Sequence, residues 1–158
     1  MATIQTRYFG VVPRDAGLAI EFPAGLPAFE KERHFLAIEH PRTAPLVFLQ
    51  SAKTRELCFL ALPVAILDPV YRLQMSSEDM AAIGVGEGDI PRHEKLAVLA
   101  FVVVGPNGRI TANLMAPIVV NRENLRAVQS VRWDGAYAHD YPVSPTAGVP
   151  AGEETSCS

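Results

Sequence analysis

The segment that most constrains this chain is Leu96 to Val104, nine consecutive apolar residues closed by Gly105-Pro106-Asn107-Gly108. A membrane-spanning helix needs roughly 18 or more such residues, so the run is too short for one and reads instead as a buried strand. The Gly-Pro-Asn-Gly sequence then turns the chain back into Arg109 to Met115, which predicts a hairpin. Further β-rich segments are Thr3 to Tyr8, Leu18 to Phe22, Arg33 to Ile38, Leu46 to Ser51, Leu57 to Leu62 and Pro117 to Val120, with a weaker signal over Leu125 to Trp133. In Leu18-Ala19-Ile20-Glu21-Phe22 the alternation places Leu18, Ile20 and Phe22 on the buried face. Thirteen prolines in 158 residues exceed the usual ~5% and are excluded from the middle of paired strands, so strands should be short and edges irregular.

One helix is well signalled, in Met75 to Gly84. Ser76 fits the N-cap, Asp79 the reciprocal position of the capping box, Met75 and Met80 the hydrophobic staple, and Gly84 the left-handed stop. Strands that follow one another without long helices between them disfavour a parallel α/β sheet. The expected fold is mainly β: a small antiparallel, strongly curved sheet or β-barrel-like single domain over residues 1–143, with one short helix. Residues 144–158 offer almost nothing large and apolar to bury and are expected to form a flexible tail. A chain of this size buries roughly 68 to 70% of its unfolded surface and needs no metal or disulfide to hold a core. The first residues, Met1 to Arg7, lack a basic region followed by an apolar stretch, so a cytoplasmic location is expected.

Residues with chemical potential are sparse. His34 and His40 lie six apart, His93 and His139 are distant, and no Cys-x-x-Cys occurs, so neither a metal nor a cofactor is implied. Gly84-Val85-Gly86-Glu87-Gly88-Asp89 has Asp where a dinucleotide loop needs its last Gly, and its acids would repel a pyrophosphate. Cys58 sits in an apolar context that keeps a thiol inert, and Cys157 falls in the tail without a positioned base. Glu30 and Glu32 could serve as an acid and base pair, but a solvated strand edge explains them better. No enzyme is predicted.

Charge is more informative. The net charge of −3 lacks the basic footprint of a nucleic-acid binder. Residues 76 to 90 hold Glu78, Asp79, Glu87 and Asp89 with no Lys or Arg, a local acidic patch suited either to a basic protein partner or to a plain solvated face.

Three segments go beyond composition: Phe22-Pro23-Ala24-Gly25-Leu26-Pro27-Ala28-Phe29-Glu30, Phe48-Leu49-Gln50-Ser51, and Thr111-Ala112-Asn113-Leu114-Met115-Ala116-Pro117-Ile118-Val119-Val120-Asn121. With Thr6-Arg7-Tyr8-Phe9-Gly10 before them and Tyr141-Pro142-Val143 after, the chain over about residues 3 to 143 resembles the bacterial flagellar assembly factor FliW family. Ala28 departs from the family pattern, which usually has Gly there; a requirement for positive φ would alter the loop. The resemblance implies a non-enzymatic β-barrel-like protein that binds newly made flagellin in the cytoplasm; a monomer is assumed. It also implies binding and antagonism of CsrA, the RNA-binding repressor of flagellin translation, without direct contact with nucleic acid or membrane. Flagellin's amphipathic ends would call for an exposed apolar groove, for which Leu26, Pro27 and Phe29 are candidates; alternatively Phe29 plugs one end of the barrel. Asn113 and Asn121 flank the late motif and either cap bends in the sheet or contact a partner. A small-ligand-binding β-barrel is the alternative function, and it would show a sizeable internal cavity where a partner switch would show a filled core.

Overall fold

The computed structural model describes residues 2–86 and 95–144. Its core is a sheet that closes on itself. The contributing strands are β3 (Leu18–Glu21), β4 (His34–Glu39), β5 (Val47–Ser51), β6 (Cys58–Pro63), β7 (Leu96–Val104), β9 (Ile118–Asn121) and β10 (Arg126–Gln129). They pair in the ring β3-β4-β5-β6-β7-β9-β10, and β10 returns to β3 through the parallel pair Arg126 and Glu21. All other neighbours in the ring are antiparallel. The fold is therefore mainly β and barrel-like, as the succession of short strands predicts.

Strand β7 makes closure possible because its nine residues serve three neighbours. Leu96 to Leu99 pair with β9, Leu99 to Val102 with β6, and Val102 to Val104 with β8 (Ile110–Ala112). The predicted hairpin forms: Gly105 N–H donates to the Arg109 carbonyl at 2.7 Å, and Gly108 adopts φ 75°. Strand β8 in turn pairs with β11 (Tyr141–Pro142), outside the ring. A separate hairpin of β1 (Thr3–Gln5) and β2 (Val11–Pro13) is anchored to the barrel where Arg7 N–H donates to the Gln50 side chain at 2.9 Å.

Because side chains alternate across each strand, the closed sheet sorts apolar residues into two clusters. Facing inward are Ile20, Phe22, Phe35, Val47, Leu49, Ala61, Leu99, Ile118, Val120 and Ala127. The opposite face of β4 to β8 carries Leu36, Ile38, Phe48, Leu62, Ala100, Val102 and Ile110, covered by Ile4, Leu114 and Val143. Each fully buried Phe or Leu stabilises the fold by roughly 1.5–3 kcal/mol relative to an exposed one.

Helix α2 (Ser77–Ala82) forms where predicted; Ser76 Oγ accepts the Asp79 N–H at 3.1 Å, and Gly84 stops it at φ 72°. The reciprocal half of the box differs. The Asp79 carboxylate accepts from Ser130 Oγ at 3.0 Å and fastens the helix to the chain leaving β10. Four described elements carried no readable signal: β2, a 3-10 turn at Arg14–Ala16, β11 and α1 (Val64–Leu67), a single turn following Pro63 that lacks a side-chain cap. The first strand is shorter than predicted and ends at Gln5, because Thr6 Oγ1 and N–H both bond the Gly10 carbonyl and turn the chain. Leu18 is also corrected: its alternation is right, but at 60% exposure it overhangs the end of the inner core.

Candidate functional site

The Pro-rich loop after β3 is a tight turn. Phe29 N–H donates to the Leu26 carbonyl at 2.8 Å, with Pro27 and Ala28 at the two central positions and Ala28 at φ 69°. Proline first and a left-handed residue second define a type II turn, in which glycine is favoured at the second position. The positive φ suspected at Ala28 is real, and the Glu30 carboxylate stabilises it by accepting the Ala28 N–H at 2.7 Å. Leu26 is 2% exposed and belongs to the inner cluster, so it is not part of a surface groove; the turn points it inward beneath Phe22 and Phe35. Pro27 is exposed, and Phe29, 41% exposed, packs edge-on to Phe59 at 5.6 Å. Phe29 thus covers one end of the barrel while keeping one side in solvent.

Both asparagines act as caps within the fold. Asn113 Oδ1 accepts the N–H groups of Met115 and Ala116 at 3.1 and 3.0 Å, which bends the chain ahead of Pro117. Asn121, 5% exposed, donates to the Ile83 carbonyl at 2.8 Å and accepts the Glu123 N–H at 2.9 Å. Asn124 donates to the same Ile83 carbonyl, so two amides hold the end of α2 against the barrel. Burial removes Asn121 from direct contact with a partner.

Of the acidic residues, Glu78 is exposed and Asp79 is half-buried and engaged by Ser130; Glu87 and Asp89 lie outside the described residues. The pair Glu30 and Glu32 has structural duties. Burial raises the Glu32 pKa, but bonds from the Ser51 and Thr54 hydroxyls, with Lys53 nearby, outweigh that and leave it below its ordinary value, the opposite of what a general acid requires. Among the described residues no group of three or more His, Cys, Asp or Glu is placed to hold a metal.

Two features escaped the sequence reading. The first is Arg132, buried between the rings of Tyr137 and Tyr71, whose centroids lie 4.6 and 5.4 Å from its guanidinium carbon. It donates to the Asp134 carboxylate, which holds that carboxyl below the usual range, and to the Arg72 carbonyl. This clamp fixes the backbone beside Trp133, which is 89% exposed.

The second is the interior itself. Phe22, Phe35, Phe59 and Phe101 fill one end of the lumen. Towards the other end the inward positions become Ala37, Val47, Ala97 and Val120, and a cavity of about 1060 Å³ runs from them past Leu96 and Val98 on the other face of β7 to Val64, Tyr71 and Leu73. Inward alanines on β4 and β7 were the available signal, since alternation alone identifies them as facing in.

A sheet closed into a barrel, with motif residues Asn113 and Asn121 capping its bends, defines a class of small β-barrel proteins. Residues 3–143 match the family model described as FliW protein. A flagellar assembly factor FliW from Syntrophomonas wolfei is 32% identical over 85% of this chain and 88% of the relative. Another from Bacillus subtilis is 29% identical over 89% of this chain and 95% of the relative. A crystal structure of a flagellar assembly factor FliW superposes with a TM-score of 0.75 at 25% identity, covering 92% of this chain and 99% of that one. The chain belongs to the FliW family of flagellar assembly factors.

Proposed function

We propose that this protein binds flagellin in the cytoplasm and also binds and antagonises CsrA, so that export of flagellin frees it to relieve repression of flagellin translation. It acts by binding and not by catalysis. The observation that carries this reading is the match of residues 3–143 to a family whose curated relatives are named for flagellar assembly. Charge supports it: a net −3 and an exposed Glu78 on α2 suit a basic regulator better than the messenger itself. No helix among the described residues is long and apolar enough to cross a membrane. The test is calorimetric titration of the full chain with the flagellin and, separately, the CsrA of the same genome. Saturable binding to each is expected; a folded protein that binds neither would overturn the reading.

A second reading is favoured by one observation. The cavity of about 1060 Å³ beside β7 is large enough for a small ligand. A ligand-binding barrel would then take up an apolar small molecule with no protein partner present.

A further inference from the structure

We infer that the cavity beside β7 binds a slender amphiphile, an aliphatic chain that carries a cationic head group of the alkylammonium type. This deepens the ligand-binding reading above and rests on it.

The cavity exists because one strand runs out. β6 pairs with β7 only from Leu99 to Val102, and past Pro63 the chain turns into α1. Over Leu96 to Val98 the edge of β7 that faces away from β9 therefore has no strand beside it among the described residues. Through this opening the cavity reaches Ala37, Ala97 and Val120 inside the barrel and Val98, Tyr71 and Leu73 outside it, which is why both faces of β7 contribute lining. A packed interior holds few voids larger than a water molecule, and about 1060 Å³ is far above that.

The burial of the walls limits what can enter. Ile20, Val47, Leu96 and Val120 are all buried, so the space suits a single chain threaded between them and not an element laid on a surface. Nearly all of the walls are aliphatic. Among the described residues of the lining Tyr71 is the one neutral polar side chain, and its hydroxyl already donates to the Leu114 carbonyl at 2.7 Å. A polar group carried into the interior would go unpaired at a cost of about 1–3 kcal/mol, whereas a hydrocarbon chain would not.

The head group follows from the charges where the cavity meets solvent. Asp15, Glu39 and Arg122 are exposed lining residues, and Asp68 stands half-buried beside them. Three carboxylates thus face one guanidinium. Asp68 gives one oxygen to the Val70 N–H at 3.1 Å, while neither Asp15 nor Glu39 takes part in a salt bridge among the described residues. Lys95, immediately before β7, is paired with Glu123 at 3.3 Å and leaves the balance unchanged. A predominantly negative rim over an aliphatic interior selects a cation at the solvent end of an apolar chain.

The probes are n-octylammonium, n-octanol and n-octanoate, which share a chain and differ in charge, each titrated calorimetrically into the full-length protein. Octylammonium should bind at least about tenfold more tightly than octanoate, with octanol between them, and added salt should narrow the difference. Ala97→Leu and, independently, Ala37→Leu put side-chain atoms into the cavity. Each should weaken octylammonium by about tenfold or more in a variant whose circular dichroism matches the wild type. Asp15→Asn combined with Glu39→Gln should bring octylammonium down towards octanol. Octanoate bound as tightly as octylammonium, or a preference for ammonium that survives in the folded double variant, would overturn the cationic head group. Unchanged octylammonium affinity in both filled variants would place the amphiphile elsewhere and overturn the site. Equal binding of all three probes, lost in the filled variants, would sink the head group alone and leave the ligand-binding reading standing. Binding of none of the three by the folded wild type would sink both.

Discussion

The two ends of the lumen are built by the same strands and differ in one respect, the size of the residues that face inward. On β4, Phe35 lies at one end and Ala37, the next inward residue, near the other; on β7 the inward sequence runs from Phe101 through Leu99 to Ala97. At the filled end Phe22 and Phe35 meet edge-to-face at 5.4 Å and Phe59 stacks on Phe101 at 4.8 Å. At the open end the cross-strand partners are Ala97 and Val120, and the cavity begins. One inward step on β4, about 7 Å, and two on β7, about 13 Å, separate a packed aromatic core from smaller inward residues. Closure of a barrel therefore fixes which side chains point inward, and their volumes decide whether the inside is core or site.

The sharpest way to break the contrast is to hollow the filled end. Phe35→Ala removes a ring that is buried against Phe22 and Phe59 and should cost about 3–5 kcal/mol in urea denaturation. Next is Glu32, which ties the turn after β5 to the loop before β4 through Ser51 and Thr54. Its folded pKa lies below the ordinary 4.5, so its contribution is fully present above that value and is lost as pH falls through the folded pKa. Glu32→Gln should cost about 1 kcal/mol at neutral pH and flatten the acid limb of the stability profile, as read by thermal midpoints from pH 7 to pH 3. Ala28→Gly tests the covering turn under Phe29: relief of a left-handed alanine should stabilise the protein by about 0.5–1 kcal/mol. The smallest effect is expected at the open end, where Ala97→Leu adds volume into existing space and should change stability by less than about 0.5 kcal/mol. A larger loss there would mean that the recess is as tightly packed as the aromatic end.

Legibility in the sequence followed how local the governing physics is. Alternation, the Gly-Pro-Asn-Gly turn and the Ser76 cap depend on near neighbours, so most strands and α2 were readable. The ring closure was not, because it rests on pairs such as Arg126 with Glu21, distant in sequence and marked by nothing local. The motif residues Asn113 and Asn121 were readable as caps, but not that Asn121 would seize the end of α2 at Ile83. Leu26 shows the limit of the rule that loops lie at the surface: a type II turn can carry one of its corners into the core. The Arg132 clamp unites residues about 60 positions apart and leaves no local pattern at all.

If one small barrel serves two partners in turn, as proposed, the most direct measurement is calorimetric titration of CsrA into this protein, first alone and then saturated with flagellin. Saturable binding is expected in the first titration and its suppression in the second. Undiminished binding of CsrA to the flagellin-saturated protein would contradict it.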